Sequence, residues 1–377
     1  MNKPRGLYIH VPFCLSRCIY CDFYSTVDNE GLRAGYVRSL QAELRSRCAE
    51  LPGRELRSIY FGGGTPSLLG AEELEAVFRT IRECFRVLPS TEVTLEANPD
   101  DVCRERIALW RGLGVNRVSL GTQSFSDGVL RTIGRRHTAE QAVRAVHALV
   151  GGGIANVSID LIYGLPGQTF EVWQSDLRRA CALPVTHLSA YSLTCEAHSP
   201  LGRLVEAGSM SLPPEELSLR MFGELLERTE AAGLRQYEIS NFCRAGFHSR
   251  HNSGYWRQLP YLGCGPGAHS FDGRRRRFNL PDLPRYAALP GRPPHEVELL
   301  TETERCNEFV FTALRTVRGF CVDELRHVFG EAAAEYVLRA AHPHLERGML
   351  ELCDGRLRIS RRGWFVSDDI MSDLMQV

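Results

Sequence analysis

Short runs of apolar, β-branched or aromatic residues recur along the chain, and each gives way to a longer stretch with apolar positions at helical spacing. The short runs are LYIHV (7–11), SIYFG (58–62), EVTLEA (92–97), RVSLGT (117–122), NVSIDLIY (156–163) and HLSAYSL (187–193). Between them lie AGYVRSLQAELRSRC, AEELEAVFRTIREC, RERIALWRGLG, AEQAVRAVHALVGGG and VWQSDLRRACAL, several closed by glycine, and PEELSLRMFGELLERTEAAG follows the sixth run. Six strand–helix repeats predict parallel βα units. Six are too few for a closed eightfold barrel, which leaves an incomplete barrel or a doubly wound sheet.

The C-terminal ends of the runs choose between these. They carry a three-cysteine loop, GGGTP (62–66), Glu96 with Asn98, Gln123 with Ser124, Asp160 with Gly164, and Tyr191 with Thr194. Barrel enzymes place their active site on that rim, whereas a doubly wound sheet gathers such groups at one switch point. Polar groups on all six ends predict an α/β chain whose residues 1–234 form a partial (βα)6 TIM-like barrel.

Beyond residue 234 the pattern changes. Residues 235–295 are rich in aromatics, glycine and histidine, with a hairpin expected at the Asp272–Gly273 turn and a proline-rich boundary at LPDLPRYAALPGRPP (280–294). Residues 296–377 read as three helices, a hairpin at Asp354–Gly355 and a final helix, the order of a small winged-helix-like α+β domain. That last part carries fifteen acidic residues against ten arginines. Its sign is wrong for phosphate contacts, so no nucleic-acid partner is expected.

Composition narrows the class further. The chain has 377 residues, is 44% hydrophobic and has no formal net charge. No apolar run is long enough to span a bilayer, and MNKPRGLYIHV has no secretory h-region, so a cytoplasmic location is expected. Lys3 is the sole lysine among 45 basic residues, a compositional bias that devalues arginine clusters such as Arg274 to Arg277. The thirteen cysteines are odd in number and lack a secretory context, which argues against a disulfide framework. Ten are scattered without ligand spacing and read as small buried hydrophobes.

The other three are Cys14, Cys18 and Cys21, in HVPFCLSRCIYCDF. Thiolates ligate zinc, copper or iron–sulfur clusters. Structural zinc wants four ligands, usually in two pairs, and His10 is the only evident fourth here. The alternative is a [4Fe–4S] cluster held at three corners, its fourth iron open to a ligand.

A CxxxCxxC loop directly after the first strand, followed by GGGTP, resembles the radical S-adenosylmethionine (SAM) superfamily. LYIHVPFC, CDF, FGGGTPS, LEANP, RVSLGTQSF, GRRH, DLIYGLPGQ and HNSGYW occur in this order. Together they resemble the coproporphyrinogen dehydrogenase-like (HemN-like) subgroup, and within it the haem chaperones of the HemW type. The resemblance implies a cluster on Cys14, Cys18 and Cys21, with Tyr8 and Tyr20 near it. It implies a SAM site at Gly63, Gly64 and Thr65, for the amino group, and at Glu96, Gln123, Arg135 and Asp160; Asp22 and Thr194 join that set. HNSGYW (251–256) matches the family's HNxxYW motif, which makes His251 the expected haem ligand, with His248 and His269 as rivals. No side chain is assigned a catalytic role. The partners implied are haem and apo-haemoprotein recipients, with a homodimer or peripheral membrane association compatible with them.

The subgroup also contains oxygen-independent coproporphyrinogen III oxidases of porphyrin biosynthesis. Those carry a fourth cysteine where this chain has Phe23, and an extension ahead of the first strand that is not expected here. Both differences, with HNSGYW, favour the chaperone.

Overall fold

The computed structural model describes residues 5–27, 30–51 and 53–376. Its centre is six parallel strands in sequence order: β1 (Gly6–Val11), β2 (Glu55–Gly63), β3 (Arg86–Ala97), β4 (Arg117–Gln123), β5 (Asn156–Tyr163) and β6 (His187–Ser192). All six expected strands are present. The helices that return the chain are α1 (Glu30–Arg47), α2 (Ala71–Cys84), α3 (Arg104–Leu113), α4 (Asp127–Thr132), α5 (Ala139–Gly151), α6 (Phe170–Ala182), α7 (Pro200–Glu206) and α8 (Glu215–Ala231). Local chemistry starts several of them. Thr138 caps α5 in a reciprocal pair with Gln141, and Thr169 caps α6.

Alternation along the strands sorts the two faces. Leu7, Ile9 and Val11, then Ile59 and Phe61, Val93 and Leu95, Val118 and Leu120, and Val157 and Ile159 belong to one buried apolar cluster with the helices. The opposite positions are mostly polar and hydrogen-bond to one another. His10 bonds Tyr8, Tyr60 bonds Glu96, Ser119 bonds Asp160, and Ser158 bonds His187. The barrel is apolar outside, under its helices, and polar within.

Two additions extend the sheet to twelve strands. On one side β7 (Arg235–Glu238) and β8 (Asn241–Cys243) form an antiparallel pair against β6. On the other, β9 (Tyr261–Cys264) runs parallel to β1, with Gly6 opposite Tyr261. From β9 the antiparallel strands β10 (His269–Phe271), β11 (Arg275–Asn279) and β12 (His295–Leu299) follow. The expected Asp272–Gly273 turn joins β10 to β11. Helix α9 (Arg250–Trp256), which carries HNSGYW, precedes β9, and α10 (Leu283–Ala288) lies between β11 and β12.

The last segment contains α11 (Glu302–Leu314), β13 (Phe320–Cys321), α12 (Val322–Phe329), α13 (Glu331–Glu346), the hairpin β14 (Leu350–Cys353) and β15 (Arg356–Ile359), and α14 (Ser367–Asp373). Three helices, a hairpin and a helix is the expected order. Asp354 and Gly355 both have positive φ, as the tight hairpin requires. Among the described residues no helix is long and apolar enough to cross a membrane.

Candidate functional site at the barrel mouth

The cysteine loop leaves β1 and is tied back to it. Phe13–Cys14 pairs with Thr26–Val27, and the Ile19 amide donates to the Ile133 carbonyl at 3.4 Å. Cys14 is buried and Cys18 and Cys21 are partly so; all three are free thiols. Burial pushes the Cys21 thiol up, and the facing Cys18 and Cys14 push it further. A bound metal cation would supply the positive charge that favours the Cys21 thiolate. Arg135 Nη1 lies 3.5 Å from the Cys18 sulfur, and the Thr65 hydroxyl 3.5 Å from that of Cys14. Tyr20 lies beside Cys18, Cys21 and Arg135, and burial pushes its phenol up.

Two observations bear on which metal these thiols suit. Among the described residues no three His, Cys, Asp or Glu side chains, the three cysteines included, are grouped to hold a metal ion as they stand. His10 is also committed elsewhere. Its Nδ1 accepts from the Tyr8 hydroxyl at 3.0 Å, and its Nε2 donates to the Tyr24 carbonyl at 2.8 Å. A carbonyl only accepts, so this fixes the tautomer. With both nitrogens engaged, His10 is not offered to the three thiols as a fourth ligand.

The GGGTP segment backs directly onto this loop. Gly63 has φ +107°, and a Cβ there would lie 2.7 Å from the His10 ring. At Gly64 a Cβ would meet the Phe13 carbonyl at 2.6 Å. The amides of Gly64 and Thr65 donate to the carbonyls of Val11 and Phe13, at 2.8 and 2.7 Å. These glycines are therefore required by close backbone approach. With those amides occupied, an ammonium group arriving here would be met by carbonyl oxygens, which are what it needs.

Glu96, Gln123, Arg135 and Asp160 come together on the inner face of the barrel. Glu96 accepts from the Tyr60 hydroxyl at 2.6 Å, a donor that sequence reasoning did not single out, although Tyr60 occupies the inward alternate position between Ser58 and Gly62. Arg135 Nη2 donates to Asn98 Oδ1 at 2.7 Å and to the Gly121 carbonyl at 2.5 Å, while its Nε is buried with no partner. An orphaned guanidinium donor suits a carboxylate. Asp160 accepts from Ser119 at 3.1 and 3.2 Å. Gln123 sits at φ +63°, a conformation a side chain rarely adopts and one that re-aims the end of β4.

Burial, reinforced by the Asp160 carboxylate, raises the Glu96 pKa to about 7. A raised carboxyl means the folded state holds its proton more tightly than the unfolded state does. Stability is then fully present below the unfolded pKa and falls as pH rises toward 7. Glu96 is expected to take up to ~3 kcal/mol from unfolding stability between pH 4.5 and pH 8. Denaturant unfolding of wild type and Glu96→Gln across that range checks this; equal pH slopes in the two would refute it.

Three expected residues lie elsewhere. Asp22 points outward and pairs at 2.6 Å with His198, both side chains more than half exposed. Thr194 is on the exposed segment after β6. His251 lies farthest from the cysteine loop's side of the barrel. It is buried at the opposite end of the barrel, beside Gly6 and Ser58. Its Nδ1 bonds the Ser58 hydroxyl at 2.9 Å and its Nε2 the Tyr255 hydroxyl at 2.8 Å, with Tyr60 stacked on the ring at 5.0 Å. Glu92 accepts from the Arg250 and His251 amides, fastening α9 across the barrel floor. An imidazole with both nitrogens engaged is not presented to a ligand. As placed, both ring nitrogens of His251 serve the packing of α9 against the barrel floor.

Residues 8–180 match the Radical SAM superfamily, and residues 300–366 match the HemN C-terminal domain. The chain is 32% identical to the haem chaperone HemW of Bacillus subtilis over 97% of its own length and 98% of that protein. It is 36% identical to HemW of Mycobacterium tuberculosis, covering 99% of this chain and 95% of the relative. The chain belongs to the HemW family. For Escherichia coli HemW the identity is 34%, over 88% of this chain and 91% of that one. The crystal structure of E. coli coproporphyrinogen III oxidase (HemN), a radical SAM enzyme, superposes with a TM-score of 0.86 at 21% identity, covering 100% of this chain and 91% of that one. That likeness shows the fold: a radical SAM-type partial barrel with a C-terminal domain. Membership of this HemW family within the radical SAM superfamily implies a [4Fe–4S] cluster and SAM.

Proposed function

We propose that this HemW-family chain is a cytoplasmic haem chaperone that binds a [4Fe–4S] cluster, SAM and haem, and passes haem to apo-haemoproteins. The observation that carries the reading is near full-length identity of 32–36% to HemW haem chaperones. Phe23, which stands at the oxidases' fourth cysteine position, is 67% exposed and supports it.

Cys14, Cys18 and Cys21 would hold the cluster, whose open iron supplies a site for the methionine end of SAM. Arg135 would neutralise charge at Cys18 and offer its free Nε to the SAM carboxylate. The carbonyls of residues 63–65 would take the ammonium. Glu96 and Asp160, with Tyr60, would order the far side of the site as hydrogen-bonding groups, with Gln123 beside them.

The test is anaerobic. Cluster-loaded protein is given coproporphyrinogen III, SAM and a reductant, and separately haem followed by an apo-haemoprotein. The expected result is no protoporphyrinogen, one haem bound, and transfer of that haem. Several turnovers of protoporphyrinogen per chain would instead establish a coproporphyrinogen oxidase.

A further inference from the structure

A cavity of about 430 Å³ opens between the cysteine loop and the β10–β11 hairpin. Its walls include His10, Phe23, Tyr24, Tyr261, His269 and Phe278. His269 and Phe278 are cross-strand partners, and their rings stack at 5.3 Å with an interplanar angle of 22°. Opposite them, His10 and Tyr24 stack at 6.2 Å and 29°. Two pairs of flat rings thus face one space. Gly267, at φ +77°, turns the backbone beside Tyr24.

The imidazoles around the barrel differ in what they can still bind. His10, His187 and His251 each have both nitrogens hydrogen-bonded. His269 is exposed to the cavity, and its described contact is the stacked Phe278. Burial and the Arg276 charge lower its pKa, which keeps the imidazole neutral, the form that ligates a metal. The larger cavity, about 600 Å³ between α9 and α11, has no histidine in its walls.

We infer that His269 is the axial ligand through which the cavity beside the cysteine loop takes an iron tetrapyrrole, the macrocycle lying against the Tyr24 and Phe278 rings. This rests on the haem-binding reading above and relocates the ligand from HNSGYW to the β10 strand. Aromatic faces supply the apolar contact a porphyrin plane needs, and a neutral imidazole supplies the iron bond. Tyr8, His10 and residues 22–24 line this cavity and also adjoin the cluster loop, so cargo and cluster would be neighbours.

The test titrates ferric haem into the cluster-loaded full chain, into His269→Ala and into His251→Ala, following the Soret band and the iron spin state. His269→Ala is expected to raise Kd about tenfold or more and to lose the histidine-ligated spectrum. Added free imidazole should restore that spectrum, a rescue that general unfolding would not permit. Unchanged affinity and spectrum in His269→Ala would overturn the inference. So would loss of the histidine signature in His251→Ala alone. If wild type binds no haem, the chaperone reading itself fails and this one falls with it, a result distinguishable because it appears before any substitution.

Discussion

Each of Cys14→Ser, Cys18→Ser and Cys21→Ser is expected to bring bound iron and acid-labile sulfide to background, while the barrel stays folded. The three cysteines share a loop whose backbone is held independently by the Phe13–Cys14 and Thr26–Val27 pairing, and the Cys21 thiol feels the other two. Removing one leaves two thiolates for a cluster that needs three protein corners, and a serine hydroxyl is too hard and too weakly acidic to replace a soft ligand. Cys103→Ser, at an exposed and isolated thiol, serves as the contrast and should keep full iron. Iron and sulfide assays on protein made anaerobically, with circular dichroism alongside, decide it. A triad variant retaining the wild-type iron would remove the cluster assignment.

Gly63→Ala should be the most damaging single methyl group in the site. The residue sits at φ +107°, and the added Cβ would arrive 2.7 Å from the His10 ring. That ring cannot swing aside cheaply, because Tyr8 and the Tyr24 carbonyl hold both its nitrogens. Backbone strain and overpacking together predict a loss of ~3 kcal/mol or more. Gly112→Ala offers the opposite sign. Gly112 lies inside α3 with nothing within 4 Å of its would-be Cβ, so alanine there should stabilise by about 0.5–1 kcal/mol. Denaturant midpoints of the two variants against wild type test the pair, and equal midpoints would show that the His10 cradle is softer than it looks.

Much of the barrel was legible because its signals are local. The six strands and their helices announce themselves by periodicity, and the cysteine spacing and GGGTP by residue type. The close approach of Gly63 to the His10 ring and of Gly64 to the Phe13 carbonyl could not be read, because those partners lie far upstream. The rest was hidden by distance along the chain. β9 joins β1 across more than 250 residues, and nothing in YLGC names Gly6–Ile9 as its neighbour. His251 is a related case. The HNxxYW resemblance makes it the expected ligand, while its partners in the structure are Ser58 and Tyr255, and α9 is anchored by Glu92 far upstream. Satisfied buried polar groups and open binding groups have the same composition. Only geometry separates them, and the same geometry brought forward His269, which the sequence ranked as a mere rival.

The position of β1 has a consequence for how the chain is made. It is translated well before β9, yet it pairs on both sides, with β2 and with β9. One of those edges must wait for Tyr261–Cys264, so this strand is enclosed long after it is made. Throughout that interval the adjoining cysteines lack the wall that β10 and β11 later provide. Nascent chains therefore carry three unroofed thiols in a cell where oxidants and stray metals compete for them. The time between translation of the cysteine loop and of the β9–β11 segment is the period in which those thiols are most easily spoiled.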